Sequence, residues 1–286
     1  MILVAGATGQ LGSLVTRRLL ARGEVVRILV RPGSNFQPLV DLGAQPVFGD
    51  LKDPASLTAA CEGVDVVITT ANSAARGGAD TVETVDLRGN RSLIDAARAA
   101  GVKQFIFTSA LGADPASPVP FLRAKGETEQ YLRASGMTYT ILAPNIFMEV
   151  WVPMLVGQAA LEGQPVTLVG EGRRKHSFVS VDDVAAFAVA AVGHPQAMNQ
   201  TVAIGGPEPV TWRDVVATYE RALGRPIEVR TIPLGQPLPG LPDVVSQLAA
   251  GMDTYDSPLD MTETARTFGV QITPLEAFVR RQTAVN

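Results

Sequence analysis

Short apolar runs rich in β-branched residues alternate with longer segments along the first 145 residues, and in those segments apolar residues recur every three or four positions. Unbroken apolar runs are typical of strands covered on both faces, as in a parallel sheet, whereas the wider spacing is typical of amphipathic helices. The pattern predicts strands at Ile2–Ala5, Val25–Val30, Pro46–Phe48, Asp65–Thr70, Gln104–Thr108 and Thr138–Leu142. It predicts helices at Gln10–Ala21, Pro54–Cys61, Val82–Ala100 and Phe121–Ala134. Regular alternation of strands and helices favours an α/β fold with a doubly wound parallel sheet.

The sequence pattern changes after residue 145, where prolines interrupt the alternation of predicted strands and helices. We therefore expect two parts: a domain at residues 1–145 and a smaller α/β segment at residues 146–286 that is interleaved with it. The segment is predicted to hold a strand–loop–helix unit at Pro165–Gly193, a strand at Gln200–Ile204, a helix at Trp212–Leu223, a strand at Ile227–Thr231, a proline-rich loop at Pro233–Pro242 and a closing helix at Leu275–Arg281.

Composition narrows the class of protein. Apolar residues make up 46% of the 286 residues, which permits a sizeable core. The formal net charge is −4, and this lack of basic excess argues against a nucleic-acid partner. Cys61 is the single cysteine and there are two histidines, so neither a disulfide nor a zinc site is expected. The longest apolar stretch, Val184–Val192, is too short to cross a bilayer. We expect a cytoplasmic protein without metal or membrane association.

The glycine-rich loop Gly6–Gly12 is the strongest functional signal, because it follows a predicted buried strand and opens a predicted helix. In such loops the first glycine makes the turn, the second admits a pyrophosphate and the third allows close packing. The free amides and partial positive charge of the helix N-terminus attract phosphate. The alternative is a glycine-rich turn without a ligand. The loop predicts a Rossmann-type coenzyme site that includes Gly6, Thr8, Gly9, Gln10, Leu11 and Gly12.

Arg31, at the end of the second predicted strand, favours NADP(H) over NAD(H). An acidic residue in this part of the fold binds the 2′-hydroxyl of the adenosine ribose, and the local sequence Val30–Ser34 contains none. A guanidinium pairs with a 2′-phosphate through two parallel hydrogen bonds. The alternatives are that NAD(H) also binds and that Arg31 is a solvated loop charge.

Two further segments follow predicted strands and are assigned to the coenzyme site. Asp50 and Leu51 follow the third strand, where a carboxylate would meet the adenine amino group. Thr70, Ala71 and Asn72 follow the fourth strand, near the point where the strand order is expected to reverse. Asp50 is equally compatible with a turn or cap.

With the glycine loop, Arg31, Asp50-Leu51 and Phe107–Ala110 in place, the chain resembles the atypical short-chain dehydrogenases/reductases. It is most similar to their NmrA-like branch, which includes quinone and triphenylmethane-dye reductases. The resemblance implies a catalytic Tyr-x-x-x-Lys pair, and this register places Phe121 at the tyrosine position and keeps Lys125. Because phenylalanine carries no proton, the family's usual alcohol oxidation is doubtful here.

Lys125 and Ser109 are the predicted catalytic residues. An ammonium beside the nicotinamide ribose binds its hydroxyls and stabilises an oxyanion as hydride arrives. Lys125 is therefore predicted both to bind the coenzyme and to act in catalysis. The alternative is a surface lysine. Ser109 ends the fifth strand, where such folds bind ligands, and either contacts substrate or caps a loop.

The resemblance also implies that Pro144 and Asn145 flank the nicotinamide. We assign Phe121, Phe147, Met148 and Trp151 to an apolar wall for a flat substrate, with the alternative that each belongs to the core. His176 is more typical of a structural histidine than of an acid or base. Asp182 and Asp183 are interpreted as a helix N-terminal cap.

The sequence thus predicts an NADPH-dependent reductase that transfers hydride directly to a small quinone-like or conjugated carbonyl compound. The first alternative is a non-catalytic NmrA-like protein that binds dinucleotide and reports redox state. The second is a nucleotide-sugar epimerase or dehydratase, which Phe121 disfavours because that chemistry also uses the tyrosine.

Overall fold

The computed structural model describes residues 1–74 and 76–284, without the side chains of residues 243 and 244. The chain divides into two compact units. The first contains Met1–Pro144, Val184–Ala203 and Arg266–Val270, and the second contains Asn145–Asp183, Ile204–Ala265 and the residues from 271 onward. The separate functions expected for the two parts of the chain remain predictions.

The described residues form nine strands: β1 (Ile2–Ala5), β2 (Val26–Val30), β3 (Gln45–Phe48), β4 (Val66–Thr69), β5 (Gln104–Thr108), β6 (Tyr139–Pro144), β7 (Val166–Val169), β8 (Gln200–Ile204) and β9 (Val229–Ile232). Seven of these strands form one sheet, in the order β3-β2-β1-β4-β5-β6-β8. Strands β1 to β6 pair in parallel.

The helices follow the strands as the sequence predicts for a doubly wound fold. In the first half of the chain they are α1 (Gln10–Ala21), α2 (Gln37–Val40), α3 (Pro54–Cys61), a π-helix (Val82–Gly89) continued by α4 (Asn90–Ala99), and α5 (Pro120–Ala134). Later come α6 (Met148–Val152), a short π-helix (Pro153–Gly157), α7 (Gln158–Glu162), α8 (Val181–Ala190), a 3₁₀ turn (Pro195–Ala197), α9 (Trp212–Leu223), α10 (Asp243–Met252), α11 (Thr262–Phe268) and α12 (Leu275–Ala284).

The order of the strands places a crevice beside β1. In register, Leu3 of β1 lies opposite Arg27 of β2 on one side and Val67 of β4 on the other. The chain therefore leaves β1 in both directions across the sheet, and the carboxyl ends of β1 and β4 flank the point where a ligand binds in folds of this kind. Strands β1 and β5 are buried throughout, which explains their unbroken apolar sequence.

The segment predicted as one helix, Val82–Ala100, is a π-helix that continues into an α-helix. A wider turn brings Gly89 against Leu51, and a Cβ on Gly89 would lie 2.8 Å from the Leu51 Cβ. The Asn90 side chain completes the hydrogen bonds of this turn. Its Nδ2 donates to the carbonyls of Val85 at 3.1 Å and Asp86 at 3.2 Å, and its Oδ1 accepts from the Thr69 hydroxyl at 2.9 Å.

The second unit has its own core and a two-stranded parallel pair, β7 and β9. Its apolar centre includes Phe178, Trp212 and Tyr219, with the Phe178 and Trp212 rings packed edge to face at 4.8 Å. The sequence predicts α9 and β8 with the observed bounds but misses α6, α7, α10 and α11. Among the described residues, no helix is long and apolar enough to cross a membrane.

We expect Asn90→Ala to lower the free energy of unfolding by about 2 kcal/mol, because it leaves buried carbonyls and the Thr69 hydroxyl without their partner. Chemical denaturation followed by circular dichroism measures this. Arg98→Ala, on the exposed side of the same helix, is the matched control and should change stability by less than about 0.5 kcal/mol. Equal effects of both substitutions would contradict this role of Asn90.

Candidate functional site

The turn between β1 and α1 requires glycine at its first and last positions. Gly6 has φ of +82°, and a Cβ on Gly12 would lie 2.1 Å from the Gly6 carbonyl oxygen. The Gly9 amide donates to the Gly6 carbonyl at 3.0 Å. No side chain caps the N-terminus of α1. The first amides of this helix are therefore directed at the mouth of the loop, as phosphate binding requires.

A cavity of about 70 Å³ lies beside this turn. Its walls come from the glycine loop, from the ends of β2, β3 and β4, and from the stretch that leads into the π-helix. The lining residues are Gly6, Thr8, Leu29, Arg31, Ser34, Gly49, Asp50, Leu51, Ala71, Asn72, Arg76, Asp80 and Val85.

The cavity brings together part of the predicted coenzyme set, namely Gly6, Thr8, Arg31, Asp50, Leu51, Ala71 and Asn72. Thr70 lies behind the loop, and its hydroxyl donates to the carbonyls of Ala5 and Gly6, each at 3.3 Å. Its contact is with the loop backbone, so it holds the turn in place. The other predicted members that do not line this cavity are Gly9, Gln10, Leu11, Gly12, Lys125, Pro144 and Asn145.

Arg31 has acidic neighbours that the local sequence does not show. Its Nη1 donates to Asp80 Oδ2 at 2.7 Å and lies 3.7 Å from Asp50 Oδ2. Lys52 Nζ contacts Asp80 Oδ1 and lies 3.2 Å from Asp50 Oδ2, and Arg76 Nη1 lies 3.8 Å from Asp80 Oδ2. The alternative that Arg31 is only a solvated loop charge does not describe these contacts. Asp80 is distant in sequence and reaches Arg31 only through the fold.

Lys125 is buried, which corrects the alternative of a surface lysine. Its side chain is 4% exposed, and Nζ donates to the Thr108 carbonyl at 2.9 Å. The ammonium lies 4.8 Å from the ring centroid of Phe107 and 5.4 Å from that of Phe121. Burial lowers the pKa of Lys125, and the nearby carboxylates of Asp86 and Glu129 oppose this shift. Phe121 thus presents a ring to the lysine at the position where the resemblance implies a tyrosine hydroxyl.

Asp86 is a site residue that the sequence analysis missed. It lies on the π-helix, is fully buried, and its Oδ1 is 3.9 Å from Lys125 Nζ. Its Oδ2 accepts hydrogen bonds from the amide and hydroxyl of Ser73 at 3.0 and 2.6 Å. Among the described residues, Oδ1 has no hydrogen-bond partner. The signal that identifies Asp86 is a buried carboxylate oxygen that faces a buried ammonium. This signal exists only in the folded structure and is absent from the sequence.

Ser109 is buried at the end of β5 and donates from Oγ to Glu129 Oε1 at 2.5 Å. The other oxygen of Glu129 accepts from Arg133 at 2.8 Å. Ser109 is therefore bonded to Glu129, one of the two carboxylates that act on the charge of Lys125. Its contact with substrate remains a prediction.

The predicted residues after β6 lie in the second unit. Asn145 donates from Nδ2 to the carbonyl and hydroxyl oxygens of Ser257 at 2.9 and 3.1 Å. Met148 is 1% exposed and belongs to the apolar core of this unit, with Trp151 packed at its margin. Phe147 is partly buried at the start of α6. A role for these residues and Pro144 in nicotinamide or substrate binding remains a prediction.

His176 is a structural residue, as its context predicts. It is fully buried, with Nδ1 2.7 Å from Ser257 Oγ and Nε2 2.9 Å from the Met252 carbonyl oxygen.

Asp183 lies in the first turn of α8, and its carboxylate accepts from the amide and hydroxyl of Thr273, each at 2.8 Å. Burial raises the pKa of Asp183. No group of three or more metal-ligating side chains occurs within residues 1–74 and 76–284.

These features fit a nicotinamide dinucleotide. The turn has no room for a side chain at Gly6 or Gly12, the first helix offers uncapped amides, and two cationic side chains, Arg31 and Arg76, line the cavity.

The model of the NmrA-like family matches residues 1–276, and the chain belongs to this family. The NAD(P)H azoreductase of Xenophilus azovorans is 36% identical over 237 residues, which cover 82% of this chain and 78% of that protein. The photosystem II assembly factor Ycf39 of Cyanophora paradoxa is 34% identical over 236 residues, covering 82% of this chain and 72% of that protein.

Among solved structures, the NADPH complex of the quinone oxidoreductase QOR2 from Escherichia coli matches with a TM-score of 0.81 at 25% identity, and the match covers 100% of both chains. The predicted family, the doubly wound fold, the oxidoreductase class and NADP(H) as coenzyme, with NAD(H) as the alternative, are thereby confirmed. The substrate remains a prediction.

We expect Arg31→Gln to weaken NADPH binding by about tenfold and to leave NADH binding within about twofold, because only the phosphorylated coenzyme loses a charged partner. Fluorescence titration with both coenzymes measures the ratio. Arg88→Gln is the matched control, since Arg88 is 73% exposed and pairs with Glu83 on the surface. Equal losses for both coenzymes would show that Arg31 does not read the 2′-phosphate.

Proposed function

We propose that this protein is an NADPH-dependent reductase of small, flat acceptors with a conjugated electron-poor system, such as quinones, azo compounds and enones. The observation that carries the proposal is the pairing of a buried lysine with two phenyl rings in place of a hydroxyl. Without the tyrosine, the site has no phenol to take a proton from an alcohol. An acceptor that takes hydride directly needs no such group.

Bound NADPH supplies the hydride, which carries two electrons to the acceptor. The resulting anion then needs one proton. Lys125 is the group we assign to deliver it and to stabilise the negative charge before delivery, and water returns the proton to the amine. The relation to the azoreductase supports an acceptor with a conjugated double bond between heteroatoms. The relation to the quinone oxidoreductase supports a conjugated carbonyl.

Asp86 is proposed as the positioning residue for Lys125. Its unpartnered oxygen faces the ammonium at 3.9 Å, so its charge favours the protonated lysine against the cost of burial. The Ser73 amide and hydroxyl hold the opposite oxygen and fix the direction of the carboxylate.

We expect the purified protein to oxidise NADPH in the presence of at least one acceptor from a panel of quinones, azo dyes and enones, followed by loss of nicotinamide absorbance. Lys125→Ala should lower kcat by about a hundredfold, the scale of general acid catalysis. Lys103→Ala is the control, because Lys103 is 77% exposed and pairs only with Asp65 at 2.7 Å in the contacts described. Turnover that survives Lys125→Ala unchanged would overturn the role of the lysine.

A second expectation concerns pH. Lys125 donates a proton only while it is charged, and burial holds its pKa below the usual lysine value. The rate of turnover should therefore fall at alkaline pH, and the midpoint of this fall should lie below the usual pKa of a lysine side chain. Asp86→Asn removes the charge that favours the ammonium, so the decline should move to still lower pH. A kcat profile from pH 6 to 10.5 for both proteins measures the shift, and an unmoved alkaline limb would contradict the role of Asp86.

A coenzyme-binding protein without turnover is the second candidate. It is favoured by Phe121 and by the relation to an assembly factor at 34% identity. Tight NADPH binding by calorimetry together with no oxidation on any acceptor of the panel would support this candidate over the reductase.

A further inference from the structure

Asp80 lines the coenzyme cavity and receives contacts from three cationic side chains, of which Arg31 and Arg76 also line the cavity. Its carboxylate is bonded to Arg31 at 2.7 Å and to Lys52, and it lies 3.8 Å from Arg76. The Asp80 side chain is only 9% exposed. The backbone is fixed as well: the Asp80 amide donates to the Gly77 carbonyl at 3.2 Å, and the neighbouring Ala79 carbonyl accepts from the Thr84 hydroxyl at 2.7 Å.

These three cations, together with Asp50 and Asp80, form a unit that we call the charge cluster. Asp50 is its less central acid, since its side chain is 31% exposed and its distances to Lys52 and Arg31 are 3.2 and 3.7 Å. The hydrogen bond between Lys52 and Asp80 is the main cause that lowers the pKa of Asp80 and raises the pKa of Lys52. Lys52 and Asp80 therefore hold each other in their charged forms. By residue type the cluster contains three cationic and two acidic side chains.

A phosphate monoester needs the donors that Asp80 now uses. Guanidinium and ammonium groups bind phosphate and carboxylate oxygens in the same way. The Arg31 Nη1 and Lys52 Nζ atoms are both turned to Asp80 oxygens, so these donors are already engaged when a phosphorylated ligand arrives. A dianion placed among the same cations would also be repelled by the Asp80 carboxylate.

We propose that Asp80 is an internal anion that occupies the place of the coenzyme's 2′-phosphate and competes with it for Arg31 and Lys52. Asp80 is thus a specificity-determining residue: it weakens the binding of phosphorylated coenzyme and leaves unphosphorylated coenzyme nearly unaffected. The inference rests on NADP(H) as the coenzyme and is independent of the acceptor and of turnover.

The test is calorimetric binding of 2′,5′-ADP and 5′-AMP, which differ only in the 2′-phosphate, to the whole protein at low salt. Asp80→Asn keeps the shape of the side chain and removes its charge. We expect it to tighten 2′,5′-ADP binding by about tenfold and to change 5′-AMP binding by less than about twofold. The gain should shrink in high salt, because partly exposed charges are screened.

Two controls accompany this test. Asp41→Asn neutralises an exposed carboxylate that is bonded to Gln37 at 2.8 Å and does not line the cavity, and it should leave both ligands unaffected. Asp80→Ser supplies a second neutral variant in case Asp80→Asn unfolds, and thermal unfolding reports on both.

Three results would overturn the proposal. Weaker binding of 2′,5′-ADP to Asp80→Asn would show that the carboxylate positions the cations for the phosphate. A loss confined to 5′-AMP would show that Asp80 binds ribose hydroxyls, as acids do in NAD-dependent enzymes. Unchanged binding of both ligands would show that the phosphate lies elsewhere. None of these measurements requires turnover, so their outcome does not depend on whether the protein is a reductase.

Discussion

The close approach of the first helix to the end of the first strand is the constraint on which the coenzyme site depends. A Cβ on Gly12 would lie 2.1 Å from the Gly6 carbonyl oxygen and 2.8 Å from the Thr70 hydroxyl. The same hydroxyl donates to the Ala5 and Gly6 carbonyls, so the end of β4 is joined to the turn. Gly6 and Thr8 of this turn line the cavity, so the shape of the cavity depends on this contact. A side chain at Gly6 or Gly12 would displace the backbone that forms this wall.

The second polar centre of the first unit is costly for folding. Lys125 and Asp86 are both buried, and a buried ion pair generally recovers little more than the energy lost when its members leave water. The surrounding structure meets this cost with specific bonds: Thr108 accepts from the lysine, Ser73 donates to the carboxylate, and Asn90 completes the π-helical turn that carries Asp86. Stability alone does not account for such an arrangement. The proton delivery proposed above for Lys125 is a functional reason for keeping this buried pair.

Local periodicity is the information that the sequence carries well. It predicts α1, α3, β5 and β8 with their observed bounds, because each depends on apolar spacing and on residues within its own length. The π-helix is different, since its wide turn depends on Asn90 bonding across it and on Leu51 packing against Gly89. The missed helix α10 directly follows the proline-rich segment Pro233–Pro242, and the missed helix α11 has only seven residues and no buried residue. The candidate site shows the same division: the glycine loop is local and is predicted, whereas Asp86 and Asp80 reach their partners through the fold.

In the binding mode proposed above, coenzyme selectivity is a property of the charge cluster as a whole. Arg31, at the end of β2, indicates a preference for NADP(H), because its guanidinium attracts a 2′-phosphate. The strength of this preference depends on the other groups that bind the guanidinium, and one of them, Asp80, is 49 positions away in the chain. Since partly exposed charges interact over several ångströms, the two carboxylates reduce the field that three cations would otherwise present to the phosphate. The residue type at position 31 therefore indicates which coenzyme is preferred but not how strongly. The strength of the preference depends on residues from distant parts of the chain that contact Arg31 in the fold.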